Sequence, residues 1–278
     1  IHHDIYDTPL TNKNGESHYY LARIYERTLD LPKAKNEYLK AIEYDPSIIE
    51  AHLQLGMLYY NNNDLKLAME PLRKYVIHNP DSIQVLEILG DIFYKQDRFS
   101  EAIDTYTKLV NLDSTRINYL LPIAKSHEEL GELKQSKLIL EQILYNNRKD
   151  INVIHMLANI ENKIGDYSSA IRHFRMAMDQ GYGNLSLYYS LAIAYANNAN
   201  YLQALLAFKK SLNLSPEDPE IIYQISICYQ QMGLYDLAIE FMNKYLAQYP
   251  FYTLNDKKFR FCRDKILKDF IKKDAKYQ

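Results

Sequence analysis

A 34-residue period runs through this chain and leaves few ways for it to fold. Leu21, Leu55, Leu89, Ile123, Leu157, Leu191 and Ile225 fall on one comb. The residue after each is small: Ala22, Gly56, Gly90, Ala124, Ala158, Ala192 and Ser226. Twelve residues further on stand Ala34, Ala68, Ala102, Ser136, Ala170, Ala204 and Ala238. Seven units, at 15–48, 49–82, 83–116, 117–150, 151–184, 185–218 and 219–252, follow one another without insertion or deletion. A unit this short cannot bury an apolar face alone, so it must stack on its neighbours.

Within a unit the spacing is that of two helices. Leu21 and Tyr25, and their counterparts at Leu55/Tyr59, Leu191/Tyr195 and Ile225/Tyr229, form an i, i+4 stripe on a first helix. The alanine comb lies on a second helix. Small residues on both allow close approach, and Tyr38, Tyr106, Phe174 and Phe208 fill the remaining volume. Gly131, Gly165, Gly233 and the run Asn61–Asn63 fall where the first helix must stop. Pro46, Pro80, Pro216 and Pro250 close the second helix. Ser114, Arg148 and Tyr182 replace that proline, so the second helices there are expected to run on or fray. Pro71 and Pro122 fall inside helices and are expected to shift or kink them.

These residues resemble the tetratricopeptide repeat family. Repeat 1 carries Leu21, Ala22, Tyr25, Ala34, Tyr38, Ala41 and Pro46; repeat 2 carries Leu55, Gly56, Tyr59, Ala68 and Pro80. The match extends over 238 of the 278 residues. The family's tryptophan is absent throughout, its place taken by His18, His52, Leu86, Leu120, Ile154, Tyr188 and Ile222. The resemblance implies an all-α fold, a right-handed superhelix of helix-turn-helix hairpins, and a protein-binding scaffold. It also implies a capping helix over 253–278, where Phe259, Cys262, Ile266 and Phe270 make one stripe.

The segments outside the repeats differ in character. Residues 1–14 break the comb, with Asp4 and Asp7 at apolar register positions, and are expected to be extended. Residues 253–278 carry nine Lys or Arg against four Asp. A cap with a solvated outer side is the reading adopted for them, with contact to an anionic membrane as the alternative.

Little else suggests chemistry. The chain contains no HExxH, G-x-S-x-G, Walker or GxGxxG motif, its histidines are scattered, and the Gly181-Tyr182-Gly183 stretch is too short to cradle phosphate. No enzyme activity, cofactor or metal is expected. A net charge of −2 gives no electrostatic case for nucleic acid. Cys228 and Cys262, one repeat apart, lie beyond disulfide reach and are expected to be buried free thiols. His127 and Glu161 take the aromatic position of repeats 4 and 5. Polar tips reaching water beside a partner are the expectation there; a buried pH-sensing His–Glu pair is the alternative. No apolar run is long enough to span a membrane, so a soluble chain, cytoplasmic rather than periplasmic, is expected. The start at Ile1 keeps a processed or truncated amino terminus in view. It also keeps a second function in view, that of a targeting arm of a larger enzyme.

By resemblance and by helical period, the second, fifth, ninth and twelfth positions of each first helix should line a concave groove. The residues expected to bind a peptide or partner subunit there are Tyr19, Arg23, Tyr60, Tyr94, His155, Asn159, Asn162, Tyr189, Ile193, Tyr223 and Ile227. Tyr189 and Tyr223 could equally pack on the neighbouring helix. The clamp with which part of the family holds acidic chaperone tails is not expected, because its places hold Tyr19, Arg23, Gln54, Gln84 and Ile88. Self-association is left open.

Overall fold

The computed structural model describes residues 10–113, 117–147 and 149–248, with Asp264 and Lys268. Among them are fourteen α-helices, a single 3-10 turn and no strand. The first compact unit, 1–132, holds α1 (Leu10–Arg27), α2 (Leu31–Tyr44), α3 (Ile49–Asn61), α4 (Leu65–His78), α5 (Ile83–Lys95), α6 (Phe99–Leu112) and α7 (Leu120–Glu129). The second, 133–278, holds α8 (Leu133–Asn146), α9 (Ile151–Ile164), α10 (Tyr167–Asp179), α11 (Leu185–Asn197), α12 (Tyr201–Leu214), α13 (Pro219–Gln231) and α14 (Tyr235–Gln248). In each unit, consecutive helices pack as hairpins and each hairpin packs on the next. The fold is an all-α solenoid of helical hairpins.

The turn inside each hairpin is built the same way seven times. Leu29, Asn63, Asp97, Gly131, Gly165, Ala199 and Gly233 lie 34 residues apart, and all have positive φ, between 56° and 92°. The next residue's N–H reaches back five residues to a carbonyl at 2.8 or 2.9 Å, as from Asp64 to Tyr59 and from Asp166 to Glu161. This closes the first helix in a Schellman geometry, for which glycine is the easiest residue. Asp30 and Asp166 then cap the following helix by accepting from the backbone N–H groups of Lys33 and Ser169.

The core repeats likewise. Each small residue of the first helix faces a large one sixteen positions later: Ala22 and Tyr38, Ala158 and Phe174, Ala192 and Phe208, all fully buried. Where the partner is Leu72 or Tyr106, the small residue is glycine. A Cβ on Gly56 would lie 2.6 Å from Leu72, and one on Gly90 2.8 Å from Tyr106.

Two expectations are corrected, the fraying of second helices that lack a closing proline and the extended course of residues 10–14. α6 and α8 end in register at Leu112 and Asn146 although no proline follows, and α10 stops at Asp179 with Gly181 left-handed. α6 and α8 close on a last backbone bond, from the Asp113 N–H to the Leu109 carbonyl and from the Asn147 N–H to that of Ile143, without a proline. α4 runs unbroken through Pro71, whose missing hydrogen bond frees the carbonyl of the exposed Leu67. At Pro122 the first helix of repeat 4 is irregular as expected: a 3-10 turn, Ile117–Tyr119, takes the place of its opening α-turn, and α7 begins only at Leu120. Residues 10–14 are helical, not extended, because nothing from Leu10 to Asn14 stops a helix already packed beyond it. Gly15 also lets α1 approach Asp45 and Ile48 closely. Residues 1–9, Cys262 and the expected cap over 253–278, apart from Asp264 and Lys268, lie outside the described residues.

Candidate functional site

The first-helix stripe is half-buried at every one of the eleven positions singled out above. In the first unit, Tyr19 packs its ring against Tyr38 at 6.0 Å. Arg23 stands 3.7 Å from Glu26, which accepts from the Tyr38 hydroxyl at 2.7 Å. The Tyr60 hydroxyl donates to Asp91 in the next repeat at 3.1 Å, and Tyr106 donates to the other oxygen of Asp91 at 2.5 Å. Burial and this bond push the Tyr106 phenol far above its ordinary pKa. Tyr94 meets Phe99 edge-on at 5.5 Å.

In the second unit, His155 lies between the rings of Phe174 and Tyr182, at 5.8 and 5.5 Å. Burial holds its pKa below the usual imidazole value. Its Nε2 and the Oδ1 of Asn162 are buried without a hydrogen-bond partner, and Asn159 stands between them on α9. Tyr189 sits edge-on to Phe208 at 5.7 Å, and burial, with Glu220 and Asp218 nearby, pushes its phenol up to about 12. Ile193 packs on the same core as Phe208, while Tyr223 and Ile227 pack beside Ile222 and Met242. Each of these side chains thus rests one edge on the core and leaves the other to solvent.

Glu161 is placed differently from the expectation of a polar tip reaching water. It is 1% exposed, accepts from His173 Nδ1 at 2.7 Å, and lies 3.2 Å from Lys137 Nζ. Lys137 also reaches Asp166 at 3.2 Å. Burial opposes the Lys137 charge, but its bonds to Glu161 and Asp166 outweigh that and raise its pKa. A carboxylate can occupy an aromatic's place here because the neighbouring helices bring it two cationic or polar partners. His127 pairs instead with Glu132 at 2.6 Å. Cys228 is a buried free thiol with its pKa raised to about 11 by burial.

Sequence reasoning missed a cavity of about 910 Å³ lined by residues of α10, α11 and α12. On α11 it uses Tyr188, Leu191 and Tyr195, a stripe one residue away from Tyr189, or roughly 100° around the helix. The signal was present in the unpaired Lys209-Lys210 and in Arg175, which in sequence look like ordinary solvated charge. Among the described residues no group of three His, Cys, Asp or Glu could hold a metal ion, and no helix is long and apolar enough to cross a membrane.

Comparison with known proteins agrees with this geometry. Tetratricopeptide repeat family models match residues 15–48, 37–70, 85–116, 155–219 and 198–253. Superkiller protein 3 of Schizosaccharomyces pombe is 26% identical over 153 residues, 52% of this chain and 11% of that protein. The chain therefore spans about a tenth of the length of this curated relative. A tetratricopeptide repeat protein from Parabacteroides merdae has a TM-score of 0.56 at 15% identity, over 92% of this chain and 99% of that one. YrrB, described as a TPR protein with an unusual peptide-binding site, has a TM-score of 0.56 at 17% identity, over 67% of this chain and 96% of that one. Period, hairpin geometry and family matches converge, and the chain belongs to the tetratricopeptide repeat family.

Proposed function

We propose that this chain is a protein–protein interaction scaffold, an adaptor or assembly factor that receives a peptide or partner subunit on the first helices of repeats 5 to 7. One observation carries the reading: the half-buried apolar anchors Tyr189, Ile193, Tyr223 and Ile227 recur at matching positions on the first helices of repeats 6 and 7, each packed on the core along one edge. An extended peptide supplies what the anchors lack, since its side chains cover the apolar surface that they leave to solvent. The family in general serves as a protein-interaction scaffold, and the YrrB structure is described as containing a peptide-binding site.

The test compares partners captured from the native cell by the wild-type chain and by Tyr189→Ala/Tyr223→Ala, quantified by mass spectrometry. A partner retained by the wild type should lose at least ~2 kcal/mol of binding, while the melting transition stays nearly unchanged. Unaltered capture, or lost capture together with a large fall in stability, places the two tyrosines in the core and rejects the reading.

A further inference from the structure

We infer that the cavity on α10, α11 and α12 is a second docking site, separate from the first-helix stripe, that seats an acidic segment of a partner protein bearing an apolar side chain. Apolar side chains, Ile171 and Leu206 among them, line it together with the cations Arg175, Lys209 and Lys210; no acidic residue lines it. None of the three cations has a carboxylate partner among the described residues. Lys210 lies 5.4 Å from the Tyr188 ring centroid and Lys209 lies 5.8 Å from that of Tyr229.

The equivalent place three repeats earlier shows what is special here. A cavity of about 470 Å³ is lined there by residues of α4, α5 and α6, among them Glu70, Arg73 and Leu86, the last two being the counterparts of Arg175 and Tyr188. Lys108, the counterpart of Lys210, is held 3.6 Å from Asp81 and donates to the carbonyl of Pro80. In the second unit the place of Asp81 is taken by Gly183. That glycine also makes room: a Cβ on it would stand 2.8 Å from the Tyr188 hydroxyl. Gly183 thus removes the carboxylate and seats the tyrosine in a single change, leaving a cavity about twice the size with its cations unpaired. Unpaired cations beside apolar side chains complement carboxylates around an apolar anchor. A polyanion such as RNA is disfavoured because residues 1–252 carry 24 basic and 31 acidic residues. The cavity is lined by none of the anchors proposed above (Tyr189, Ile193, Tyr223 and Ile227), so it stands or falls independently of that function.

The experiment measures binding of a labelled peptide of glutamates flanking a central leucine to the full chain by fluorescence anisotropy. A glutamine analogue and an oligouridylate serve as competitors. The expected result is saturable binding that weakens with added salt, drops at least tenfold in Arg175→Glu/Lys210→Glu, and drops similarly in Leu206→Glu. All three positions are solvent-exposed, so the fold is retained, and an unchanged thermal transition checks this. Tyr189→Ala/Tyr223→Ala should bind the peptide within twofold of wild type. The inference is overturned if wild type shows no saturable binding, if the glutamine analogue competes as well as the acidic peptide, or if the charge reversals bind normally. Tighter binding of the oligouridylate also overturns it, in favour of a nucleic-acid surface.

Discussion

Lys137 Nζ lies 3.2 Å from Glu161 Oε1, tying a second helix to a carboxylate buried on the first helix of the next repeat. Removing one partner of a buried pair leaves an uncompensated charge, worth roughly 3–5 kcal/mol when both are fully buried. The Lys137 side chain keeps 25% exposure, which lets water screen part of the loss. Lys137→Met should therefore lower stability by about 2 kcal/mol in urea unfolding. Adding Glu161→Leu should recover part of that, because the stranded carboxylate is gone. A double variant weaker than the sum of the singles would contradict the pairing.

The left-handed turn position predicts stabilising substitutions. Leu29 and Ala199 hold positive φ with a side chain in place, and Leu29 is 80% exposed, so its side chain contributes little packing. A left-handed L-residue costs ~1–2 kcal/mol, against ~0.5–1 kcal/mol of unfolded-state entropy added by glycine. Leu29→Gly and Ala199→Gly should each raise stability by roughly 0.5–1 kcal/mol, and Gly165→Ala should lower it by about as much. Urea midpoints measure all three. A loss in either glycine variant would show the turn to be unstrained.

Close approach predicts the opposite outcome for a methyl group elsewhere. Gly56→Ala and Gly90→Ala should each cost ~1–3 kcal/mol, since Leu72 and Tyr106 would have to move. Alanine is accommodated at the same register in Ala22 and Ala158. Wild-type stability of both variants would mean that α4 and α6 shift freely.

Acid should weaken the fold through two histidines. Burial holds the pKa of His52 and of His155 below the ordinary 6.5. The unfolded chain therefore takes up protons first as pH falls, and the stability present above 6.5 is lost in the window beneath it. His155→Leu should decline less than wild type between pH 7 and 5 in thermal melts. Parallel declines would remove His155 as a source of the acid sensitivity.

The fold was legible because the period and the small residues, repeated seven times, and the turn glycines, present three times, all speak of local packing. The glycines at 131, 165 and 233 disclosed the turn, yet Leu29 and Ala199 gave no hint of the same geometry, since backbone bonds to the aromatic position impose it. The proline signal misled for α6 and α8, which end at the register positions Leu112 and Asn146 without one. Glu161 was misread because its partners Lys137 and His173 come from two other helices. The first-helix stripe could be read from periodicity, but the α10–α12 cavity could not. It depends on Asp81 having a glycine counterpart, an absence that only a three-dimensional neighbour makes meaningful.

Tyr188 and Tyr189 are adjacent on α11 and serve different surfaces. One inserted residue upstream in that helix would turn everything after it by about 100°. Tyr188 would then take the heading of Tyr189 and Leu187 that of Tyr188, so the cavity would lose its ring while the stripe kept one. A first helix that carries two surfaces side by side can thus vary its letters far more easily than its spelling length. Drift by substitution tunes each surface separately, whereas a single added or deleted codon puts both out of register at once.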